Sequence, residues 1–276
     1  MARRTGSRLK LSGGRKPRRA AAAPDETTVL PGRRPVIELL RSGAGAEKVL
    51  IARELDPSKT IAEIRKLAQG AAVPVRVVPR TEVDRLAGGS NHQGVVAITG
   101  RYRYAPLDRL LAAEAPRLLF VDGVTDPHNL GSLLRSADGA GFTGVVVPSR
   151  RSAAVNATVR RVAAGAAEVV PVARVDSLRA AVSDARAAGL WLAGLSERGA
   201  EDLWTSPLLE PPVGLVVGAE DRGLSRGIQE ACDALVRIPS AGRLDALNVA
   251  VAGAIAMFEV ARRAAPGSAE RDSATL

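Results

Sequence analysis

The chain has 276 residues, enough for one large or two modest domains, each with its own core. It is 46% hydrophobic but only 3% aromatic, which favours an α/β protein with small-residue helix packing and argues against base stacking on an aromatic-rich sheet. The net charge is +10, the single cysteine (Cys232) rules out an internal disulfide framework, two histidines with it are too few for a structural zinc site, and no apolar run approaches the roughly 20 residues of a membrane span.

Residues 1–28 are basic and aperiodic, and read as a disordered tail. Arg3, Arg4, Arg8, Lys10, Arg15, Lys16, Arg18 and Arg19 precede the first acid, Asp25, so removing these eight charges from +10 leaves +2 for the rest. Such a tail serves either as an electrostatic arm for RNA phosphates or as a solubilising segment. No apolar h-region follows it, and it lacks the apolar face of a mitochondrial presequence. With the lone cysteine, this points to the cytoplasm.

Residues 29–100 read as a small α/β domain. The pattern predicts a helix at 36–41, a strand at 49–52, and a helix capped by Ser58 with Ile61, Ile64, Leu67 and Ala68 on one face. A strand at 75–78, a short helix at 82–86 and a strand at 95–99 follow. A lone histidine, His92, reads as a hydrogen-bonded structural residue. Residues 101–116 form a linker with a short helix near 107–113.

From 117 to 266 strands and helices alternate: a strand at 118–121, a helix at 129–140, a strand at 144–147, a helix at 154–164 and a strand at 168–172. A helix at 177–188, strands at 191–195, 213–217 and 235–238, and a long apolar helix at 247–263 complete the series, before a frayed end at 267–276. This alternation implies a parallel sheet with helices on both faces.

Two stretches carry chemistry. In Gly218-Ala219-Glu220-Asp221-Arg222-Gly223 a strand ends in a glycine turn with an acid inside it, while Asn248 heads the last helix. Glu220 and Asn248 then lie where two strand-to-helix connections converge, the usual ligand position in an α/β sheet. The turn is not a dinucleotide fingerprint, because Glu220 stands where pyrophosphate contact needs glycine. The second stretch is Val121-Asp122-Gly123-Val124-Thr125-Asp126-Pro127-His128-Asn129-Leu130-Gly131-Ser132-Leu133-Leu134-Arg135. Asn129 and Arg135 fall about 600° apart on a helix and so face differently if both are helical, which favours a helix starting at or after Asn129.

Taken together with Val236-Arg237-Ile238-Pro239 and Ala246-Leu247-Asn248-Val249-Ala250, these stretches resemble the three motifs of the SpoU/TrmH family of RNA ribose 2′-O-methyltransferases, in the SPOUT superfamily. Gly32-Arg33-Arg34-Pro35 and Asn91-His92-Gln93-Gly94 resemble phrases of its RNA-binding domain, although Arg34-Pro35 replaces the more usual Asn-containing pair. The resemblance implies an L30-like α/β domain that binds RNA, followed by a SPOUT domain whose chain after Gly214 forms a trefoil knot. It also implies a homodimer, S-adenosylmethionine as cofactor and no metal. The two-domain layout is most similar to RlmB-like enzymes that make 2′-O-methylguanosine in 23S ribosomal RNA; transfer RNA methylases and antibiotic-resistance adenosine methylases share the motifs.

By that resemblance the catalytic set is Asn129, Arg135, Glu220 and Asn248, and the cofactor rests on Leu195, Gly218, Ile238 and Leu247. A free guanidinium stays protonated and makes a poor base. Arg135 is therefore expected to hold the target phosphate and polarise the hydroxyl, with Asn129 and Glu220 orienting its fork. Ala250 departs from the family's serine in this motif. A non-catalytic RNA-binding protein is the competing class. A Rossmann-type methyltransferase lacks support because no glycine-rich loop follows a first strand.

Overall fold

The computed structural model describes residues 28–43, 45–55, 58–242 and 246–265. The basic tail before residue 28 and the end from residue 266 lie outside the described residues. Two sheets organise what is described.

The first sheet contains β1 (Thr28–Pro31), β2 (Ala46–Ala52), β3 (Val75–Val78) and β4 (Val95–Thr99), in the order β1-β4-β2-β3. Only the β2–β3 pair is parallel. Side chains alternate across β2, so Val49 and Ile51 pack under α1 (Arg33–Ser42) and α2 (Lys59–Gly70), while Leu50 and Ala52 face α3 (Arg80–Ala87). Ser58 caps α2, its hydroxyl accepting from the Ile61 N–H. Strand β1, four residues long, carries too little periodicity to be legible in the sequence.

The second sheet contains β5 (Arg117–Asp122), β6 (Gly144–Pro148), β7 (Val172–Val175), β8 (Trp191–Leu195), β9 (Glu201–Asp202), β10 (Val213–Gly218) and β11 (Ala234–Arg237). Every pair is parallel, in the order β7-β6-β5-β10-β8-β11-β9. Its helices are α4 (Leu107–Leu111), α5 (Pro127–Gly139), α6 (Ala157–Val162), α7 (Ala166–Val169), α8 (Leu178–Ala187), α9 (Arg226–Gln229) and α10 (Val249–Ala264). Leu119, Val121, Leu215 and Val217 face α5, α6, α7 and α10; Leu118, Phe120 and Val216 face α4, α8 and α9. Burial on both faces explains the continuous apolar runs of β5 and β10. The chain runs outward from β5 through β6 to β7, then crosses to β8. The order therefore reverses beside β5 and β10, and a crevice opens at their carboxyl ends.

Three expectations need correction. The expected strand at 168–172 is instead α7 followed by β7, because Glu168 is buried in an ion pair with Arg160 and Pro171 has no N–H for a ladder. The helix expected at 154–164 begins only at Ala157, capped by the Asn156 side chain. Asn129 lies inside α5 rather than on the loop before it: Asp126 is the cap, accepting from the His128 N–H, and Pro127 takes the first turn.

Residues 101–106 do more than link. Ala105 bridges Ala173 on the edge strand β7, and Tyr102 and Tyr104 meet edge to face at 5.0 Å. Among the described residues no helix is long and apolar enough to cross a membrane.

Candidate active site

The crevice is built by three chain segments at the carboxyl ends of their strands. After β10, the chain turns at Gly218–Gly223, where the Ala219 and Gly223 backbones exchange hydrogen bonds of 3.1 and 2.8 Å. A Cβ on Gly218 would stand 2.2 Å from the Gly223 carbonyl carbon and 2.3 Å from the Leu224 nitrogen, so the turn closes only over glycine. Gly223 itself holds φ +63°. Asp122, ending β5, accepts from the Ser225 N–H at 2.7 Å and ties the turn to the next strand.

Glu220 projects from this turn. Its Oε1 accepts from Asn129 Nδ2 at 2.5 Å and from Asn248 Nδ2 at 2.6 Å, while Asn248 Nδ2 also lies 3.2 Å from Asn129 Oδ1. Asn248 caps α10 at the same time: its Oδ1 accepts from the Ala250 and Val251 N–H groups at 2.9 and 3.3 Å. The cap fixes which way the amide points, and the amide donor fixes the carboxylate. Three side chains from three segments thus form one hydrogen-bonded unit. Ala250, where the family carries serine, is buried in the first turn of α10.

Arg135 behaves differently from expectation. It is exposed on α5, two turns beyond Asn129, and its guanidinium makes no hydrogen bond or ion pair among the described residues. Glu220 is held by the two amides instead of by the guanidinium. Both Asn129 and Arg135 are helical, and the six-residue spacing turns them to different faces.

Beside this unit lies a cavity of about 420 Å³. Leu195, Gly218, Ile238 and Leu247 all line it, as does Glu220; Asn129, Arg135 and Asn248 do not. Its apolar wall is completed by Val217 and Val249, and its rim carries Glu197, Arg198, Asp221 and Arg222. The rim charges escaped sequence reasoning. Only Asp221 and Arg222, inside the glycine turn, had a local signal that pointed to them. Cys232 is not among the residues lining the cavity; burial, with Asp233 and Asp122 nearby, pushes its thiol up to about 12. His92 is also structural: Nδ1 accepts from the Gly94 N–H at 3.0 Å and Nε2 meets Asp84 at 2.8 Å.

A cavity within the roughly 300–1,000 Å³ range of small-molecule sites, over the carboxyl ends of a parallel sheet at its reversal point, defines an α/β protein that binds a small ligand beside a fixed polar cluster. Residues 116–258 match the SpoU rRNA methylase family, and residues 29–105 match the RNA 2′-O ribose methyltransferase substrate binding domain. The chain belongs to the SpoU family and is an RNA 2′-O-ribose methyltransferase.

It is 37% identical over 243 residues to a protein of Staphylococcus aureus (strain COL) assigned to the TrmH family of tRNA/rRNA methyltransferases, covering 86% of this chain and 97% of the relative. A Bacillus subtilis (strain 168) protein with the same assignment is 36% identical over 240 residues, covering 85% and 95%. Among solved structures, the AdoMet-bound rRNA methyltransferase of Sinorhizobium meliloti superposes with a TM-score of 0.73 at 28% identity, over 86% of this chain and 87% of that one. The SpoU methyltransferase AviRb of Streptomyces viridochromogenes, in complex with AdoMet, gives 0.73 at 28% over 86% and 90%.

Proposed function

We propose that this chain transfers the methyl group of S-adenosylmethionine to the 2′-hydroxyl of a guanosine in 23S ribosomal RNA, as an RlmB-like homodimer in the cytoplasm. The observation that carries the reading is the convergence of Asn129, Glu220 and Asn248 beside a cavity lined by Leu195, Gly218, Ile238 and Leu247. The cavity suits the cofactor by its donor set: Leu195, Ile238 and Leu247 offer apolar walls, the turn at Gly218 offers backbone groups, and Glu197 and Asp221 offer acceptors at the rim. S-adenosylmethionine, when bound, supplies a methyl group already activated on sulfur.

The protein then has two tasks: to align the hydroxyl with that methyl, and to ease the loss of its proton. Glu220, fixed by two amides, presents an oriented carboxylate at the cavity edge. Arg135, a permanent cation, holds the phosphate next to the target ribose. It lies one turn before Gly139, and Phe258 of α10 reaches that glycine: a Cβ there would stand 3.3 Å from the Phe258 ring. Val251 and Phe258, each about half exposed at 49% and 51%, form with Ile255 an apolar stripe at i, i+4 and i+7. A second copy covering that stripe would also enclose Arg135, which favours the homodimer.

The deciding experiment maps 2′-O-methyl groups in RNA from cells with and without this gene, then replaces the mapped nucleotide by its 2′-deoxy counterpart. Loss of one ribosomal guanosine methyl, and no transfer to the deoxy substrate, is expected. Continued methylation of the deoxy substrate at that residue would sink the ribose mechanism. A missing methyl on transfer RNA or on adenosine would retain the chemistry and replace the substrate. Failure to bind cofactor in calorimetry would favour a non-catalytic RNA-binding role.

A further inference from the structure

The substrate-binding region and the methylase region share a buried polar contact that the chemistry above does not use. Arg160, on α6 of the methylase region, is 2% exposed. Its Nε donates to Glu168 Oε1 of α7 at 2.6 Å, and the Glu168 side chain is 1% exposed. Its Nη1 donates at 2.6 Å to the Thr99 hydroxyl, at the end of β4 in the other sheet. A buried guanidinium is costly unless its donors are satisfied in good geometry, and here that requires a residue from each region.

Packing around the contact is equally tight. Gly165, at φ +104°, precedes α7, and a Cβ there would lie 2.7 Å from Cγ of Glu38 on α1. The linker is pinned as well: the Tyr102 hydroxyl donates to the Ala167 carbonyl at 2.9 Å, and the Ala105 N–H donates to the Val172 carbonyl at 2.8 Å. A linker fastened along its path, with a buried ion pair at its root, leaves little slack for a hinge.

We infer that Arg160 is a positioning residue: bridging Glu168 and Thr99, it locks the RNA-binding region at one angle to the methyl-transfer cavity, so the enzyme selects RNA that is folded to present its recognition element and its target ribose at that fixed spacing. The inference rests on the proposed methyl transfer to RNA. It places the specificity in the rigidity of the two-region body. A short RNA carrying only the target nucleotide then forgoes the contacts of the second region.

The test uses Thr99→Val, which removes the cross-region acceptor and leaves the Arg160–Glu168 pair intact, and Thr99→Ser, which restores a hydroxyl. Two readouts are taken on the full chain. The first is the distance distribution between spin labels at Arg65→Cys and Arg179→Cys, both on exposed helix positions; the half-buried Cys232 is replaced by alanine so that only these two sites take label. The second is steady-state methyl transfer to unmodified ribosomal RNA from a strain lacking the gene, and to a short hairpin bearing the mapped target.

Thr99→Val is expected to broaden the distances and raise KM for the long RNA about tenfold or more, since small misplacement of a substrate is costly. The hairpin's kcat/KM and the affinity for S-adenosylmethionine should stay within about twofold, and Thr99→Ser should match the parent. An unchanged distance distribution, equal losses on both RNAs, or a serine variant as impaired as valine would each overturn the lock. A parent enzyme that methylates neither RNA would refute the functional reading instead, and the label distances would then decide the lock alone.

Discussion

Asn248 sits in two interactions that a single substitution separates. In Asn248→Asp the new carboxylate still accepts from the Ala250 and Val251 N–H groups, so the α10 cap survives. Its other oxygen now faces Glu220 Oε1 across the 2.6 Å that an amide donor spanned. Two carboxylates at about 3 Å repel by roughly 1.5 kcal/mol in water-like surroundings, and the lost hydrogen bond adds about 1 kcal/mol. Asn248→Ala instead loses the cap, about 1 kcal/mol, and the same hydrogen bond, but gains no repulsion. At pH 8 the aspartate variant should therefore be slightly less stable than the alanine variant, by roughly half a kcal/mol from these magnitudes. On acidification the two neighbouring carboxyl groups of this variant come to share a proton, and the repulsion becomes a hydrogen bond. The order should then reverse, aspartate exceeding alanine by about 2 kcal/mol because only it keeps both the cap and a hydrogen bond to Glu220. Urea unfolding of both variants before and after acidification reads this directly. An aspartate variant more stable than alanine at both would mean that residue 248 acts as a cap alone, and the proximity to Glu220 would be wrong.

Gly218→Ala must push the Gly223–Leu224 backbone aside, since its Cβ would stand 2.2 Å from it; overpacking of about 1–3 kcal/mol should weaken S-adenosylmethionine binding about tenfold or more in calorimetry, whereas Gly227→Ala, with no neighbour closer than 3.6 Å, should be silent. Arg135→Ala should abolish methyl transfer while cofactor affinity changes by less than about tenfold, an arginine on the RNA side being worth little to the cofactor; parallel loss of both would mark a structural arginine. Cys232, its thiol raised to about 12 by burial, should resist iodoacetamide at pH 8 in the native protein and react once unfolded in urea. Burial works to raise the Glu259 carboxyl, but the hydrogen bonds and charges of Arg262 and Arg263 outweigh it and hold the group below its ordinary value. A lowered folded-state value gives stability that is present above the ordinary carboxylate range and lost as the pH falls through the lowered one. Glu259→Gln should therefore cost stability at neutral pH, with the gap closing on the acid side of a denaturation series.

What the sequence determined by itself was everything written in local periodicity and local capping. Apolar runs marked β5, β8 and β10, the serine at 58 announced α2, and glycines at 218 and 223 announced the turn between them. These signals act within a few residues, so they survive reading without coordinates. The motif resemblance named the residues around the cavity, and the structure gathers five of them on its wall. The contacts that local pattern could not reveal depend on partners far apart in the chain. Glu168 reads as the start of a strand until Arg160 arrives to bury it in α7. Asn129 meets Glu220 across 91 residues and Asn248 across 119, so which amide pins which carboxylate has no local signature. The same holds for Arg135: its helix was legible, but whether Glu220 would hold it depended on two amides that reach the carboxylate first. The linker reads as a plain connection because Tyr102 and Ala105 find their acceptors on α7 and on the edge strand β7 only after the sheet exists. Local backbone preferences are set within a turn or two of chain, whereas desolvated polar contacts need both partners in place, and only the folded sheet brings them there.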